Sequence, residues 1–228
     1  MRSVAVHAAL FVALAWLWPA VAAQQGDGSV LGVVTLTVAR GAPLATSAYG
    51  RRGVAPKAGS PGPETRNVVV YLLGMKPATR PTPMRASIRQ RGERFVPPVT
   101  VATVGSTVDF PNEDPFFHNV FSLSRMATFD LGRYPSGQSR AQQFSRPGIV
   151  KVFCHIHSQM SALVMLMDHP WFAVPNDTGA FSLADVPAGD HTLVAWHERI
   201  GERRERIRVT PGGTLRVSFT LPVLEPHP

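Results

Sequence analysis

The side chains able to do chemistry in this 228-residue chain are concentrated in Phe153-Cys154-His155-Ile156-His157-Ser158-Gln159-Met160. Cys154 is the only cysteine, followed three positions on by His157 and three further by Met160. The spacing puts a thiolate, an imidazole and a thioether on one short loop. Soft sulfur with imidazole suits copper, and two histidines and a cysteine with a weak axial methionine form the donor set of a blue-copper electron-transfer centre. That set needs a second histidine, and the candidate is His118 in Phe116-Phe117-His118-Asn119-Val120. The metal ligands read from the sequence are therefore His118, Cys154, His157 and Met160, with Met165 as the fallback axial ligand.

Strands must carry these residues, because helical periodicity is almost absent and the chain reads as all-β. In Ile149 to Cys154 the residues Val150, Val152 and Cys154 share one face at period two, so the cysteine leaves a half-buried strand pointing inward. Ala162 to Met167 is the returning strand, and Asn119 to Leu123 follows His118. Ala86 to Gln90, Val99 to Val104, Thr107 to Phe110 and Gln142 to Ser145 complete this set. Phe129 to Ser139, with its Gly and Pro, reads as a loop. Gly28 to Val38 and Asn67 to Leu73 are strong β-branched strands on the N-terminal side. Between them residues 39–66 read as a loop without periodicity. After Trp171 come turns at Asn176 to Gly179 and Pro187 to Asp190, with strands Ala180 to Leu183 and His191 to His197. The Arg199 to Arg208 run, interleaved with Glu202 and Glu205, reads as a solvated hairpin.

Asn112 to Val120 followed by Gly148 to Met160 resembles a cupredoxin, and the short ligand loop is most similar to that of amicyanin. From Met84 onward the chain looks like the plastocyanin-like methylamine-utilisation proteins. The resemblance implies a Greek-key β-sandwich over 84–167 holding one type 1 copper. It implies that Asn119 bonds to the ligand loop and that His157 lies under an apolar patch facing the partner. Met126, Phe116 and Phe117 are candidates for that patch or for the core. Ser158 stands where amicyanin loops tend to carry proline. Asp177 to Leu183 and Pro187 to Gly189 resemble the regulatory-like, transthyretin-like β-sandwich of carboxypeptidases, whose opening strands look like Gly28 to Val38 and Asn67 to Leu73. The expected organisation is a small sandwich over 28–78 and 171–222 with the copper domain inserted in it.

Other chemistries fit less well. His155-Ile156-His157 is a lone H-x-H pair, whereas a trinuclear copper cluster needs several. One cysteine excludes a dithiolate-bridged dinuclear site, and paired zinc ligands are absent. No nucleophile signature supports a thiol protease. His155 is expected to be exposed and non-liganding, and His169, His191 and His197 to be surface or edge residues.

Arg2, the apolar run Ala8 to Trp18 and the small residues Ala20 to Ala23 read as a secretory signal peptide over 1–23, with a retained anchor as the alternative. A lone cysteine in an exported chain is either inert or liganding. The formal net charge is +8 and lysine occurs only at Lys57, Lys76 and Lys151. Export argues against nucleic acid as a partner, and the basic charge favours an acidic periplasmic redox protein, a cytochrome or dehydrogenase, or an anionic membrane surface, through electrostatic steering, with dispersed solubilising charge as the alternative. The sequence thus predicts a periplasmic or secreted one-electron carrier that is not an enzyme and has no stable membrane insertion. The rival readings are copper delivery or storage, and a non-redox interaction or carbohydrate-binding sandwich with a structural metal.

Overall fold

The computed structural model describes residues 26–39 and 64–224. The expected signal peptide and most of the 39–66 loop lie outside them. Seventeen strands follow in chain order: β1 Gly28–Ala39, β2 Val68–Leu72, β3 Arg85–Ser87, β4 Arg89–Gln90, β5 Phe95–Val96, β6 Val99–Thr103, β7 Thr107–Pro111, β8 His118–Ser124 and β9 Ala127–Tyr134. The rest are β10 Ser139–Gln143, β11 Gly148–Phe153, β12 Ser161–Met167, β13 Phe172–Ala173, β14 Ala180–Val186, β15 Gly189–His197, β16 Gly201–Val209 and β17 Thr214–Leu224. One 3₁₀ turn, Glu64–Asn67, precedes β2. The protein is all-β, and no helix among the described residues is long and apolar enough to cross a membrane.

Four sheets stack in layers. The first is β10-β7-β3 and the second β6-β12-β11-β8-β9. Between them lies a core that includes Val108, Phe110, Val120, Tyr134, Phe144, Val150, Val152 and Val164. The third sheet is β13-β2-β15-β16 and the fourth β14-β1-β17. Their shared core includes Val30, Val34, Val70, Leu72, Leu193, Phe219 and Leu221. A third cluster, Val69, Val99, Leu163, Met165 and Met167 with Tyr71, Val101, Phe172 and Trp196 against it, seals the second sheet to the third.

This stacking explains two sequence features. A strand buried on both faces must be apolar at every position rather than at alternate ones. Ala162 to Met167 and Val68 to Val70 are buried throughout. Ala162, Val164 and Leu166 face the first core, while Leu163, Met165 and Met167 face the third cluster. The strands flanking residues 84–167 pair with one another: β1 runs antiparallel to β14 and parallel to β17, and β2 pairs with β13 and β15.

The structure departs from the sequence reading at β9. Ala127–Tyr134 is a strand paired with β8, where a loop from Phe129 was expected. Gly132, at φ 69°, sits within this strand without breaking it, because the Asp130 carboxylate accepts its N–H at 2.8 Å. His169 and His197 are also not surface residues, being 4% and 1% exposed. His197 Nε2 bonds the Glu64 carboxylate at 3.1 Å and its Nδ1 accepts the Arg199 N–H at 3.2 Å.

Burial pulls the pKa of both histidines below the ordinary 6.5, against the opposing pull of Asp168 on one and Glu64 on the other. The unfolded chain therefore takes up protons first on acidification, and this contribution to stability is present above about pH 6.5 and lost below it. Urea midpoints should fall between pH 7.5 and 5.5; a flat profile would contradict the burial. Gly179, at φ 82°, has its carbonyl bonded to the Val34 N–H, and a Cβ there would run into the Val34 carbonyl oxygen. Gly179→Ala should lower the unfolding free energy by roughly 1–3 kcal/mol, read from denaturant titration.

Candidate metal centre

Cys154 follows the last residue of β11, whose register against β12 runs from Gly148↔Leu166 to Phe153↔Ser161. Alternation along β11 sends Val150, Val152 and then Cys154 into the first core, where the cysteine is 4% exposed. The loop then turns back within six residues. The Met160 N–H donates to the His157 carbonyl at 3.0 Å, and the Cys154 N–H donates to the Met160 carbonyl at 3.3 Å. These bonds fix the loop at the point where Ser158 replaces the expected proline. Gln159 adds a bond to the Glu93 carboxylate at 3.1 Å.

His118 opens β8, which crosses β11 at Phe121↔Phe153. Its Nδ1 lies 3.8 Å from the Cys154 sulfur. One ligand atom from each of His118, Cys154 and His157 falls within 4.8 Å of the others. Bonds of about 2.0–2.1 Å to nitrogen and about 2.3 Å to sulfur place ligand atoms roughly 3.5–3.8 Å apart around one ion. The His118–Cys154 separation already has that value. The His157 Nδ1 is buried and has no hydrogen-bond partner among the described residues. A buried imidazole nitrogen left unpaired is costly in a protein interior, and a metal ion would satisfy it. The donor set fits a soft or borderline ion. Met160, 1% exposed, is buried in the same core as Cys154. Met165 has the opposite parity on β12 and packs in the third cluster, away from Cys154.

The sequence reading passed over Asp114. Its carboxylate accepts the His118 Nε2–H at 2.8 Å, and both side chains are nearly inaccessible. That bond fixes the tautomer and leaves the His118 Nδ1 lone pair facing the sulfur. Asp114 is itself held by consecutive backbone donors, the Gly92 N–H at 2.6 Å and the Glu93 N–H at 2.9 Å. Gly92 and Glu93 have φ of 61° and 57°, so successive left-handed residues aim two N–H groups at one anion. Burial raises the Asp114 pKa, but the Glu93 N–H, His118 and the Gly92 N–H together hold it below the usual carboxylate value. The available signal was a carboxylate four residues before a ligand histidine, since such histidines almost always donate their second N–H to an acceptor.

Asn119 bridges the ligand loop and β9. Its carbonyl oxygen accepts the His155 N–H at 3.4 Å, directly after the cysteine, and its amide donates to Asp130 at 2.6 Å. The His155 ring stacks flat on Phe121, centroids 3.7 Å apart and planes 2° apart, outside the ligand cluster. Phe116 and Phe117 are 38% and 55% exposed rather than core. The Phe116 ring lies 5.2 Å from that of His118 and 5.5 Å from that of His157. Met126 is half-buried against the first core.

No protein-family model matches the chain, and no curated protein matches it. Among solved structures the chain is similar to a novel purple cupredoxin from Nitrosopumilus maritimus, at 22% identity over 36% of this chain and 99% of that one, TM-score 0.34. It is similar to an oxidised point mutant of amicyanin at 20% identity over 36% of this chain and 82% of that one, TM-score 0.35. It is also similar to a Cu-containing nitrite reductase from Thermus scotoductus SA-01, at 26% identity over 43% of this chain, TM-score 0.36; it covers 25% of that chain. The regulatory-like resemblance of the flanking strands finds no support in these similarities.

Asp114→Asn preserves shape and removes the charge behind His118. Its affinity for Cu(II) should drop about 10–100-fold, measured by competition with a calibrated chelator. An unchanged affinity would mean that the carboxylate is only structural.

Proposed function

We propose that this chain is an exported type 1 copper protein that carries one electron between redox partners in the periplasm. The observation that supports this reading is the gathering of His118, Cys154 and His157 with the His157 Nδ1 buried and unpaired. When bound, copper supplies a one-electron couple between Cu(II) and Cu(I). The rest of the work belongs to the chain. Asp114 orients His118, and Asn119 holds the backbone after Cys154. The two loop hydrogen bonds set where His157 and Met160 stand. Ligands fixed in this way rearrange little when the charge of the ion changes, which keeps transfer fast. Met160 would hold the ion as the fourth and weakest donor of the proposed set.

His157 is the half-buried member of the cluster, and exposed Phe116, Phe117 and Ile156 lie close to it in sequence or space. We infer that these apolar side chains form the face that docks the partner. The net charge of +8 favours an acidic partner by steering at low ionic strength. We infer also that the chain performs no bond-making reaction. The pairing of β1 with β14 and β17 supports a small sandwich into which the copper domain is inserted.

Purified protein given Cu(II) should develop an intense visible thiolate-to-copper band, with the narrow copper hyperfine splitting of such centres in its electron paramagnetic resonance spectrum. Cys154→Ser should abolish both. A colourless adduct with ordinary splitting would refute the type 1 assignment. Tight Cu(I) binding without a reversible couple would point to delivery instead.

A further inference from the structure

Where the second and third sheets meet, an open cleft of about 460 Å³ lies beside the end of β12. Its wall includes Met165, Met167 and His169 from one stretch of chain, with Met75, Tyr71 and Trp196 from the third-sheet side. The stretch reads Met165-Leu166-Met167-Asp168-His169, so the two thioethers and the imidazole recur at every second residue. Period two places Met165 and Met167 on the same face of β12, and both pack in the cluster that seals the two sheets.

His169 gives this wall a chemical purpose. It is 4% exposed, and its Nδ1 is buried with no hydrogen-bond partner among the described residues. Burial disfavours the protonated form of the ring. Only two imidazole nitrogens among the described residues are buried and unpaired in this way, His157 Nδ1 in the ligand cluster and His169 Nδ1 here. At both places the nearby donors are soft. Asp168 and Glu202 line the cleft together with Lys76, and the Glu202 carboxylate is paired with Arg204.

We propose that Met165, Met167 and His169 form a second metal site, selective for Cu(I). Two thioethers and a neutral imidazole are a soft, uncharged donor set that matches a monovalent soft ion and suits Zn(II) or Ca(II) poorly. No electron transfer is involved in occupancy, only exchange of Cu(I) from a weaker chelator. The site does not depend on the reading of the first centre. Five residues separate Met160 from Met165, about 16 Å at roughly 3.3 Å per residue of extended chain. The two sites have no ligand in common.

The test is an anaerobic titration of the whole protein with Cu(I) presented as its bicinchoninate complex. The unmodified protein should take two equivalents. Cys154→Ser should retain one, and Cys154→Ser with His169→Ala should take none. Met165→Leu with Met167→Leu in the Cys154→Ser background conserves volume and should also lose the remaining equivalent. In that background a nitrogen-15 imidazole spectrum should show Cu(I) shifting His169 Nδ1, and the Met methyl signals with it. The proposal is overturned if Cys154→Ser binds no Cu(I), or if removing His169 leaves its single equivalent in place. A colourless Cu(II) adduct of the unmodified protein, with Cu(I) still bound by Cys154→Ser, would remove the carrier role and leave this site standing.

Discussion

The architecture depends on one constraint: β12 is covered on both faces. A strand in that position has no solvent side, so each residue must be apolar and each must belong to one core or the other. Leu166, Val164 and Ala162 go to the first core, and Met160 joins them there just before the strand begins. Met167, Met165 and Leu163 go to the seam between the second and third sheets. A slip of one residue in the β11–β12 register would exchange the two sets. It would carry the ligand loop with it, since the loop is closed by bonds between the ends of these two strands.

Around the ligand cluster the polar groups are arranged so that buried charge is compensated before any ion arrives. The Asp114 carboxylate collects two backbone N–H groups and the His118 imidazole. Asn112 keeps its neighbourhood in place by donating to the Phe116 and Tyr134 carbonyls and accepting the Asp114 N–H. Tyr134 and Gln90 close a buried network onto the Phe110 carbonyl. Among the described residues here, Gln90 Oε1 and His157 Nδ1 lack a protein partner, and the second belongs to the ligand cluster. Such selective incompleteness marks a binding position more clearly than any single residue type does.

Much of this was legible because strand parity and side-chain chemistry are local. Val150, Val152 and Cys154 alternate in the sequence and are all buried in the structure. The position of His118 could be anticipated from Asn119 and the aromatic pair before it. What could not be read depends on long-range pairing. Nothing local distinguishes Asp114 from an ordinary turn aspartate until the Gly92–Glu93 turn is folded against it. Met165 looked like an available thioether because its parity relative to Cys154 is set by the hairpin, not by its distance along the chain. For Phe116 and Phe117 the sequence allows patch or core, since bulky aromatics usually are buried, yet both are exposed and the Phe116 ring borders those of His118 and His157. His169 and His197 sit in polar sequence and become buried only through the docking of sheets distant in sequence.

The parallel pairing of β1 with β17 has a mechanical consequence. Registered continuously from Ser29↔Thr214 to Ala39↔Leu224, the two strands run side by side in the same direction. Tension applied to the start of β1 and the end of β17 therefore pulls along the ladder from opposite ends. All the hydrogen bonds between the strands are loaded at once, in shear, and none can be peeled open before the others. Stretched between those two points, the protein would resist as a clasp does, shielding the strands that carry the candidate ligands, which are enclosed between them in the chain.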